Sequence, residues 1–368
     1  MVRSIKTKHI ILAELILFFA IFSLNLYQHS EHEEAITVTS DSNGKDYIKW
    51  VNFDVSSKAL SDAYQYDVES RGWEVKINWI ELLAILGHKY GGDFSRYKQK
   101  QMQELVEKLK NKEATVASLT EGMKYYTYYY EAYEAVLGGM VGSYKIEVPD
   151  DTVPGGKVWG QRYGLKAFLP LAKNYPFSHF DDFGVSRSYG FRRKHLGHDM
   201  MGQVGTPVIA VESGYIEALG WNQYGGWRIG IRSFDKKRYY YYAHLRQNFP
   251  YKKTLEIGSI VQAGDVIGYL GRTGYSSNEN ANNIRTPHLH FGMQLIFDES
   301  QKESYSEIWI DCYDIIQFLY RNRCATVKNP ETKEYSRVYQ MVDPIAEHYI
   351  NHSIYRYEDD EFNIHIYD

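Results

Sequence analysis

Cysteine is nearly absent from the sequence. The only two, Cys312 and Cys324, fall in the segment WIDCYDIIQFLYRNRC (309–324), whose apolar spacing predicts a helix. A helix would hold these two residues about 18 Å apart, which is beyond the reach of a disulfide. The sequence therefore excludes a disulfide framework.

An excess of positive charge is absent as well. The chain has 42 Lys and Arg residues against 46 Asp and Glu residues, which gives a net charge of −4. Without a basic footprint, nucleic acid is excluded as the expected partner. With 368 residues and 44% hydrophobic content, the chain can bury a substantial core, and we expect two folded units.

A long hydrophobic run occurs once, at the amino terminus. The segment HIILAELILFFAIFSLNLY (9–27) would span about 28 Å as a helix, enough to cross a bilayer, although it includes Glu14. Lysine and arginine precede it and glutamates follow it, so the positive-inside rule places the rest of the chain outside the cytoplasm. No small-residue cleavage site follows. We therefore expect residues 1–30 to form a retained signal anchor that makes a single-pass protein of the cell membrane.

Residues 40–146 are typical of a small helical domain. Apolar residues recur at helical spacing in four segments, 59–68, 79–90, 101–110 and 121–141. This region shows no catalytic constellation, because its histidine, His88, has no Cys, Asp or second His nearby in sequence, and we interpret it as packed or solvated. The role of the helical domain stays open.

A Pro- and Gly-containing stretch, EVPDDTVPGGK (147–157), marks the expected domain boundary. Residues 155–300 then contain short segments rich in Val, Ile and Tyr, separated by Gly, Asn or Asp, which predict antiparallel strands. In GWRIGIRSF (226–234) the alternation predicts a strand with one solvated face. Residues 301–368 are expected to form a C-terminal helix and a tail. The expected fold class is α+β.

Two short motifs in the β region carry the candidate chemistry. In TPHLHFGMQLIF, His288 and His290 lie on one face of a strand, where two imidazoles suggest a metal ion. In KHLGHDMMG, His195 and Asp199 point to one side of an extended segment. Together with His290 they would provide three N and O ligands and leave one tetrahedral position open, the pattern of a catalytic zinc site. Spacing alone does not show that the two motifs meet.

A further histidine lies in YYYYAHLR. Strand alternation would place His244 on the same face as Tyr240 and Tyr242. Its alternative interpretation is a hydrogen-bonded strand histidine without a catalytic role.

These segments, in this order, carry a resemblance to a known family. HLGHD, GTPVIAVESGYI, YYYAHL, GDVIGYLGRTG and PHLHFGM resemble the lysostaphin or LytM-type zinc metallopeptidases of peptidase family M23. The resemblance covers roughly residues 155–300. It includes neither the helical region nor the tail.

The resemblance implies a fold, a site and an activity. It implies an antiparallel sheet with a cleft, Zn²⁺ held by His195, Asp199 and His290, and catalytic roles for His288 and His244 that could be exchanged. The implied protein is a membrane-anchored bacterial zinc metalloendopeptidase that hydrolyses peptide bonds in peptidoglycan stems or cross-links by means of zinc-activated water. One departure is His198, where relatives commonly have an apolar residue, and we expect it to face away from His195.

Two other functions were weighed. A catalytically inactive, membrane-anchored scaffold or activator of cell-wall hydrolases would use the same fold, but all five candidate positions are filled here. A biotinyl or lipoyl carrier domain would explain GTPVIAVESGYIEAL and VQAGDVIGYLG, yet no lysine occupies a turn between them. The expected partners are thus a peptidoglycan peptide and the membrane. Protein partners stay unknown.

Overall fold

The structure is a computed structural model that describes residues 38–40, 46–188, 192–302 and 305–351. The expected membrane anchor at residues 9–27 lies outside the described residues, as does the tail from residue 352. Within the described ranges, no helix combines the length and the apolar character that crossing a bilayer requires.

Helices dominate the first part of the described chain. Their bounds are α1 Ser57–Ser70, α2 Trp79–Tyr90, α3 Gln99–Lys110, α4 Val116–Thr120 and α5 Tyr126–Leu137. The four predicted helices are confirmed, but α5 is shorter than the predicted range 121–141. It starts after a turn in which Gly122 has a φ of 76°, and it ends before the strand that begins at Val141.

Caps define the ends of the central helices. The side chain of Ser56 accepts a hydrogen bond from the Ala59 amide at the start of α1, and that of Asn78 accepts one from the Ile80 amide at the start of α2. Gly91 ends α2 in the left-handed conformation, with a φ of 65°. Because α2 is apolar on most faces, it lies buried between α1 and α5.

An antiparallel sheet of eight strands forms the largest part of the β region. The bounds of its strands are β5 Ser178–His179, β8 His198–Met201, β10 Gly214–Asn222, β11 Gly226–Ser233, β12 Arg238–Ala243, β13 Ile260–Val261, β15 His288–Leu295 and β16 Ile308–Ile310. Seven of them follow the order β13-β10-β11-β12-β15-β8-β5. The eighth, β16, pairs with the C-terminal part of β15, after the residues that pair with β8. The expected mixture of helices and antiparallel sheet is confirmed.

Smaller sheets flank the large one. Strands β3 Val141–Pro149 and β4 Lys157–Leu165 form a hairpin that β19 Met341–Val342 joins. The other pairs are β1 Val38–Ser40 with β2 Asp46–Ile48, β6 Ser186–Ser188 with β7 Arg192–Lys194, β9 Pro207–Ile209 with β14 Val266–Tyr269, and β17 Thr326–Lys328 with β18 Tyr335–Arg337. The predicted linker at 147–157 is therefore the tip of the β3–β4 hairpin.

A single cluster of buried apolar side chains passes through both the helical and the β parts. It includes Leu60 and Ile85 from the helices and Tyr240 and Phe291 from the large sheet. The division into domains at residues 40–146 and 155–300 stays a prediction.

The predicted C-terminal helix over 309–324 is wrong in extent. Trp309 belongs to β16, and helix α6 covers only Tyr313–Leu319. Ile308 and Ile310 are buried in pairing with β15, a long-range contact that overrides the local helical pattern. Cys312 and Cys324 are buried, free thiols.

The predicted solvated face of β11 is also wrong, because Gly230 and Arg232 are buried and Arg228 is half-buried. Arg232 is only 1% exposed, and its guanidinium donates to the Lys236 carbonyl oxygen and pairs with Glu299. These contacts compensate the cost of removing the charge from water.

Candidate metal centre

Two neighbouring strands place the candidate ligands on one face of the large sheet. Strand β8 pairs antiparallel with β15, and His290 is directly opposite Asp199. His288 lies two residues before His290 and therefore on the same face. His195 precedes β8 and reaches the same point from the loop. The structure thus brings His195, Asp199 and His290 together.

Three side-chain atoms form a small triangle at this point. The Nε2 of His195 lies 3.0 Å from the Oδ1 of Asp199 and 3.1 Å from the Nδ1 of His290, which is 2.8 Å from the same Oδ1. In a tetrahedral zinc site with bonds near 2.0 Å, ligand atoms lie about 3.3 Å apart. The two imidazoles and the carboxylate therefore fit a zinc ion in number, type and spacing.

Gly197, which has no side chain, leaves space beside this triangle. A Cβ atom placed on Gly197 would lie 2.5 Å from Cε1 and 2.6 Å from Nε2 of His290. Any larger residue would push the His290 ring out of its position. The glycine between His195 and Asp199 is thus required by the close approach of the imidazole.

Two residues behind the triangle fix the orientation of the ligands. The Nδ1 of His195 lies 3.2 Å from the carbonyl oxygen and 3.1 Å from the Oδ1 of Asp182. The carbonyl oxygen is an acceptor, so a proton on Nδ1 would leave the lone pair of Nε2 directed to the triangle; the guanidinium of Arg187 lies 3.4 Å from the same Nδ1. Arg187 donates to Asp182 and lies 3.1 Å from the Oδ2 of Asp199, so it orients the carboxylate.

The electrostatics of the ligand residues reflect these contacts. Burial raises the pKa of Asp199, but the contacts with His195 and His290 outweigh burial and hold this pKa well below its usual range. Burial lowers the pKa of His195, but the hydrogen bond to Asp199 reverses the effect and leaves it raised. Burial lowers the pKa of His290. The carboxylate is therefore ionised at neutral pH, as a metal ligand must be.

His244 reaches the site by leaving its strand. Strand alternation predicted that it would share a face with Tyr240 and Tyr242, but those two rings are in the core. His244 has a φ of 59°, in the left-handed region, which turns its ring towards His288 at a centroid distance of 4.7 Å. The prediction of a shared face is therefore wrong.

The two histidines outside the triangle are held in matching ways. The Nδ1 of His244 lies 2.9 Å from the Thr273 carbonyl oxygen, and that of His288 lies 2.8 Å from the Thr286 carbonyl oxygen. Each Nδ1 is therefore the donor, and each Nε2 is left without its proton. Burial, followed by the neighbouring His288, lowers the pKa of His244 well below its usual range.

His198 faces away from the triangle, as predicted. Its Nε2 lies 2.8 Å from the Nδ1 of His179, and its ring packs against Tyr313. Burial, followed by the charge of His179, lowers its pKa to about 3. His198 is thus a neutral, packed residue.

The triangle opens into a cleft of about 540 Å³. Aromatic side chains form part of its floor, including Tyr239, Tyr241 and Trp309. Tyr239 and Trp309 lie against glycines of neighbouring strands, since a Cβ atom would meet Tyr239 at Gly230 and Trp309 at Gly292. The glycines therefore let the rings lie flat on the sheet. A cavity of this size can hold a peptide.

Within the described ranges, the triangle is the one group of three His, Cys, Asp or Glu residues with metal-ligand spacing. A smaller pocket of about 180 Å³ lies in the helical part, lined by apolar residues such as Leu82 and Leu109. His88 contacts the Tyr125 ring and is half-buried, as interpreted from the sequence. The helical part therefore adds no second metal site among these residues.

Sequence reasoning did not identify Asp182 and Arg187. Both precede the HLGHD motif by several residues and have no periodic or spacing signal. A search for an acidic residue within about fifteen positions of a ligand histidine would have included Asp182, but among many others. Only the fold shows its contact with His195.

Comparisons with known proteins agree with this geometry. The model of peptidase family M23 matches residues 193–303. The chain is 41% identical over 131 residues to L-Ala--D-Glu endopeptidase of Bacillus subtilis, which covers 35% of the chain and 38% of the relative. It is 40% identical over 98 residues to glycyl-glycine endopeptidase ALE-1 of Staphylococcus capitis, which covers 26% of the chain and 24% of the relative. The chain thus spans well under half the length of these relatives.

A solved structure is similar in fold over a larger part of the chain. The crystal structure of lytM from Ruminococcus gnavus aligns over 76% of the chain and 94% of its own length, with a TM-score of 0.50 and 21% identity. This likeness supports the fold alone. The family match over 193–303, which includes the HLGHD and HLH motifs, shows that this segment is similar to peptidase family M23.

Proposed function

We propose that this chain is a zinc-dependent endopeptidase that hydrolyses peptide bonds in peptidoglycan stems or cross-links. The observation that carries the proposal is the triangle of His195, Asp199 and His290, which opens into a cleft of peptide size. The family resemblance and the names of the relatives support the reaction type and the substrate class.

The metal would be held by the three triangle residues. Zinc bound in this way polarises a carbonyl group and lowers the pKa of bound water to about 7. The carboxylate of Asp199 offsets part of the positive charge, and Arg187 keeps that carboxylate in position. Asp182 holds the His195 ring in the tautomer that can bind a metal.

His288 and His244 are the candidates for proton transfer. In each of them Nδ1 carries the proton and donates a hydrogen bond to a backbone carbonyl oxygen. Each Nε2 therefore has a lone pair that can take a proton. One of them would accept a proton from water and return one to the leaving amine, and the other would stabilise the developing oxyanion. We propose these two roles without assigning one to either residue.

The proposed location is the outer face of the cell membrane. The apolar segment 9–27 and the charges around it support a single-pass anchor with the catalytic part extracytoplasmic. This location would place the cleft next to its proposed substrate.

One experiment tests the function directly. The full chain is purified, bound zinc is measured, and cross-linked muropeptides are incubated with it while products are identified by mass spectrometry. We expect about one zinc per chain and cleavage, both lost in His290→Ala. His348→Ala, a change of an exposed histidine far along the chain, is the matched control and should behave like the unmodified chain.

Two outcomes contradict the proposal in different ways. Equal zinc content and cleavage in His290→Ala would show that the ligand assignment is wrong. Zinc binding without cleavage by the unmodified chain would instead support the inactive scaffold.

A further inference from the structure

We infer that the cleft is built for an acidic peptide, with Arg228 and Arg193 holding a substrate carboxylate one or two residues from the cleaved bond. This inference rests on the proposed function and deepens it. It distinguishes stem peptides, which contain carboxylates, from neutral oligoglycine bridges.

Arg228 lies on the face of the sheet that carries the triangle. Ile229 pairs with Tyr242 and Ala243 pairs with His290, so continuing the register by one residue places Arg228 beside Ala243. Arg228 and His290 are therefore in one row, two strand spacings or about 10 Å apart at their Cα atoms. Both side chains line the same cleft.

The guanidinium of Arg228 has one donor that no other described residue satisfies. Its Nε is buried and has no hydrogen-bond partner among the described residues. A buried donor without a partner is costly unless a ligand satisfies it. A substrate carboxylate that enters the cleft would do so with a charge-assisted hydrogen bond.

Arg193 adds a second guanidinium to the lining of the cleft. It donates to the Tyr275 hydroxyl, and its charged group lies 4.9 Å from the centre of the Tyr275 ring. Both arginines act electrostatically on the Tyr241 hydroxyl: burial raises the pKa of Tyr241, and the charges of Arg228 and Arg193 oppose that shift. Both arginines line the same cleft as Tyr241 and Tyr275.

The other cations of the cleft already have carboxylate partners, and one lining carboxylate, Glu307, is bonded to a neutral donor. Arg187 pairs with Asp182 and Asp199, and Lys302 lies 2.9 Å from Glu217. Glu307 accepts a hydrogen bond from the Trp309 indole. Within the described part of the chain, the cations that line the cleft without a carboxylate partner are Arg193, Lys194 and Arg228. The cleft therefore has an excess of positive charge.

The distance between Arg228 and His290 limits the position of the carboxylate in the substrate. An extended peptide advances about 3.3–3.6 Å per residue, and an arginine side chain covers much of the 10 Å that separates its Cα from that of His290. A carboxylate within two residues of the cleaved bond can therefore reach the guanidinium groups.

The test compares two cross-linked stem-peptide dimers that differ only in charge. One has free carboxylates on its glutamyl residues and C-termini, and the other has carboxamides there; pentaglycine with an acetylated N-terminus and an amidated C-terminus is the neutral reference. We expect the full chain to cleave the carboxylate form with a KM about tenfold lower than that of the carboxamide form. We expect little or no cleavage of pentaglycine.

Variants assign the preference to the arginines. Arg228→Gln and Arg193→Gln should each raise KM for the carboxylate form severalfold and leave KM for the carboxamide form unchanged, with kcat little affected. Arg228→Lys should keep part of the preference. Arg162→Gln, the same change at an exposed residue on β4, is the matched control. Thermal melting of each variant checks that it folds.

The outcomes separate this inference from the proposed function. Cleavage of both dimers with equal KM, or preferred cleavage of pentaglycine, would overturn the inference and leave the peptidase proposal in place. An unchanged preference in Arg228→Gln and Arg193→Gln would also overturn it. Failure to cleave any of the three peptides or whole peptidoglycan would overturn both.

Discussion

The Nδ1 atom of His195 lies close to the backbone carbonyl oxygen and the carboxylate of Asp182 and to the guanidinium of Arg187, and loss of the carboxylate has a measurable consequence for metal binding. Asp182→Ala removes the carboxylate that orients the imidazole and also releases Arg187 from one of its two partners. Because residues that orient metal ligands contribute about 10–100-fold to metal affinity, we expect the zinc affinity to fall by that amount. Competition with a chromophoric chelator measures it.

The adjacent residue offers a control for this change. Asp181 is exposed, so Asp181→Ala removes the same charge next to the site without touching His195. Equal zinc affinities in the two variants would show that Asp182 does not orient the ligand.

Asp311 makes the free energy of unfolding depend on pH. Burial, followed by the nearby carboxylates of Asp181, Asp314 and Asp54, raises its pKa to about 6. The folded state therefore binds a proton more tightly than the unfolded state, so this residue's contribution to stability is present below its unfolded pKa and is lost as pH rises towards 6. Asp311 accepts a hydrogen bond from the Tyr313 amide through Oδ1. An asparagine can accept that bond at every pH.

Asp311→Asn should therefore raise the thermal midpoint by a few degrees at pH 7.5 and have little effect at pH 4. Melting curves at the two pH values provide the measurement. A gain of the same size at both would mean that ionisation of Asp311 is not the cause.

At the residue scale, the sequence predicts which side chains of a strand share a face, but it does not predict an unusual backbone angle. The alternation of side chains on strands predicts that His288 and His290 share a face. It cannot predict that His244 adopts a positive φ, which costs about 1–3 kcal/mol and is compensated by the surrounding fold. The position of His244 therefore required the structure.

Arg238 of strand β12 forms a buried ion pair and also contacts helix α5. Arg238 donates to both carboxylate oxygens of Glu212, at 2.7 and 3.0 Å, and to the carbonyl oxygen of Ala135 in the helix. Tyr240 also donates to Glu212. Gly139, just after the helix, faces this carboxylate directly. The junction leaves no room for a side chain at that position.

Gly139→Ala tests the junction. Its Cβ atom would lie 1.5 Å from the Oε1 of Glu212, so the carboxylate must move away from Arg238. Because breaking a buried ion pair costs about 3–5 kcal/mol, we expect a decrease of that order in the free energy of unfolding. Urea denaturation measures it.

Gly72→Ala is the matched control, since its Cβ atom would meet only the Glu69 carbonyl oxygen at an ordinary 3.7 Å. A Gly139→Ala variant as stable as Gly72→Ala would show that Glu212 can move without cost.

The sequence predicts the elements that have a strong local hydrophobic periodicity. The repeat of Met102, Leu105, Val106 and Leu109 predicts α3, and these four residues are buried. The segment 309–324 has a similar pattern, but pairing of β16 with β15 takes its first residues into the sheet. Local periodicity cannot reveal a contact with a strand that lies more than ten residues away.

At the scale of the whole molecule, the buried cluster does not stop between the helical and the β parts. Separating them would expose apolar side chains such as Ile85 and Tyr240 to water. We therefore expect a single cooperative transition in differential scanning calorimetry of the zinc-free chain, with equal calorimetric and van't Hoff enthalpies. Two separate transitions would instead support independent domains at 40–146 and 155–300.

The meeting of distant segments is also a property of the whole molecule. His195 and His290 are separated by 95 positions, yet their ring nitrogens lie 3.1 Å apart. No periodicity within either segment encodes that distance, which follows from the pairing of β8 with β15. The sequence identified the candidate ligands from two motifs and a family resemblance, and the sheet explains why they converge.

The ring of Trp309 rests on Gly292 at the floor of the cleft, so a Cβ atom there would lie 2.7 Å from the indole. A peptide that settles in the cleft would exclude water from this indole and change the polarity around it. The cleft thus contains one of the seven tryptophans of the chain, and a change in tryptophan emission that Trp309→Phe abolishes would be a label-free gauge of its occupancy.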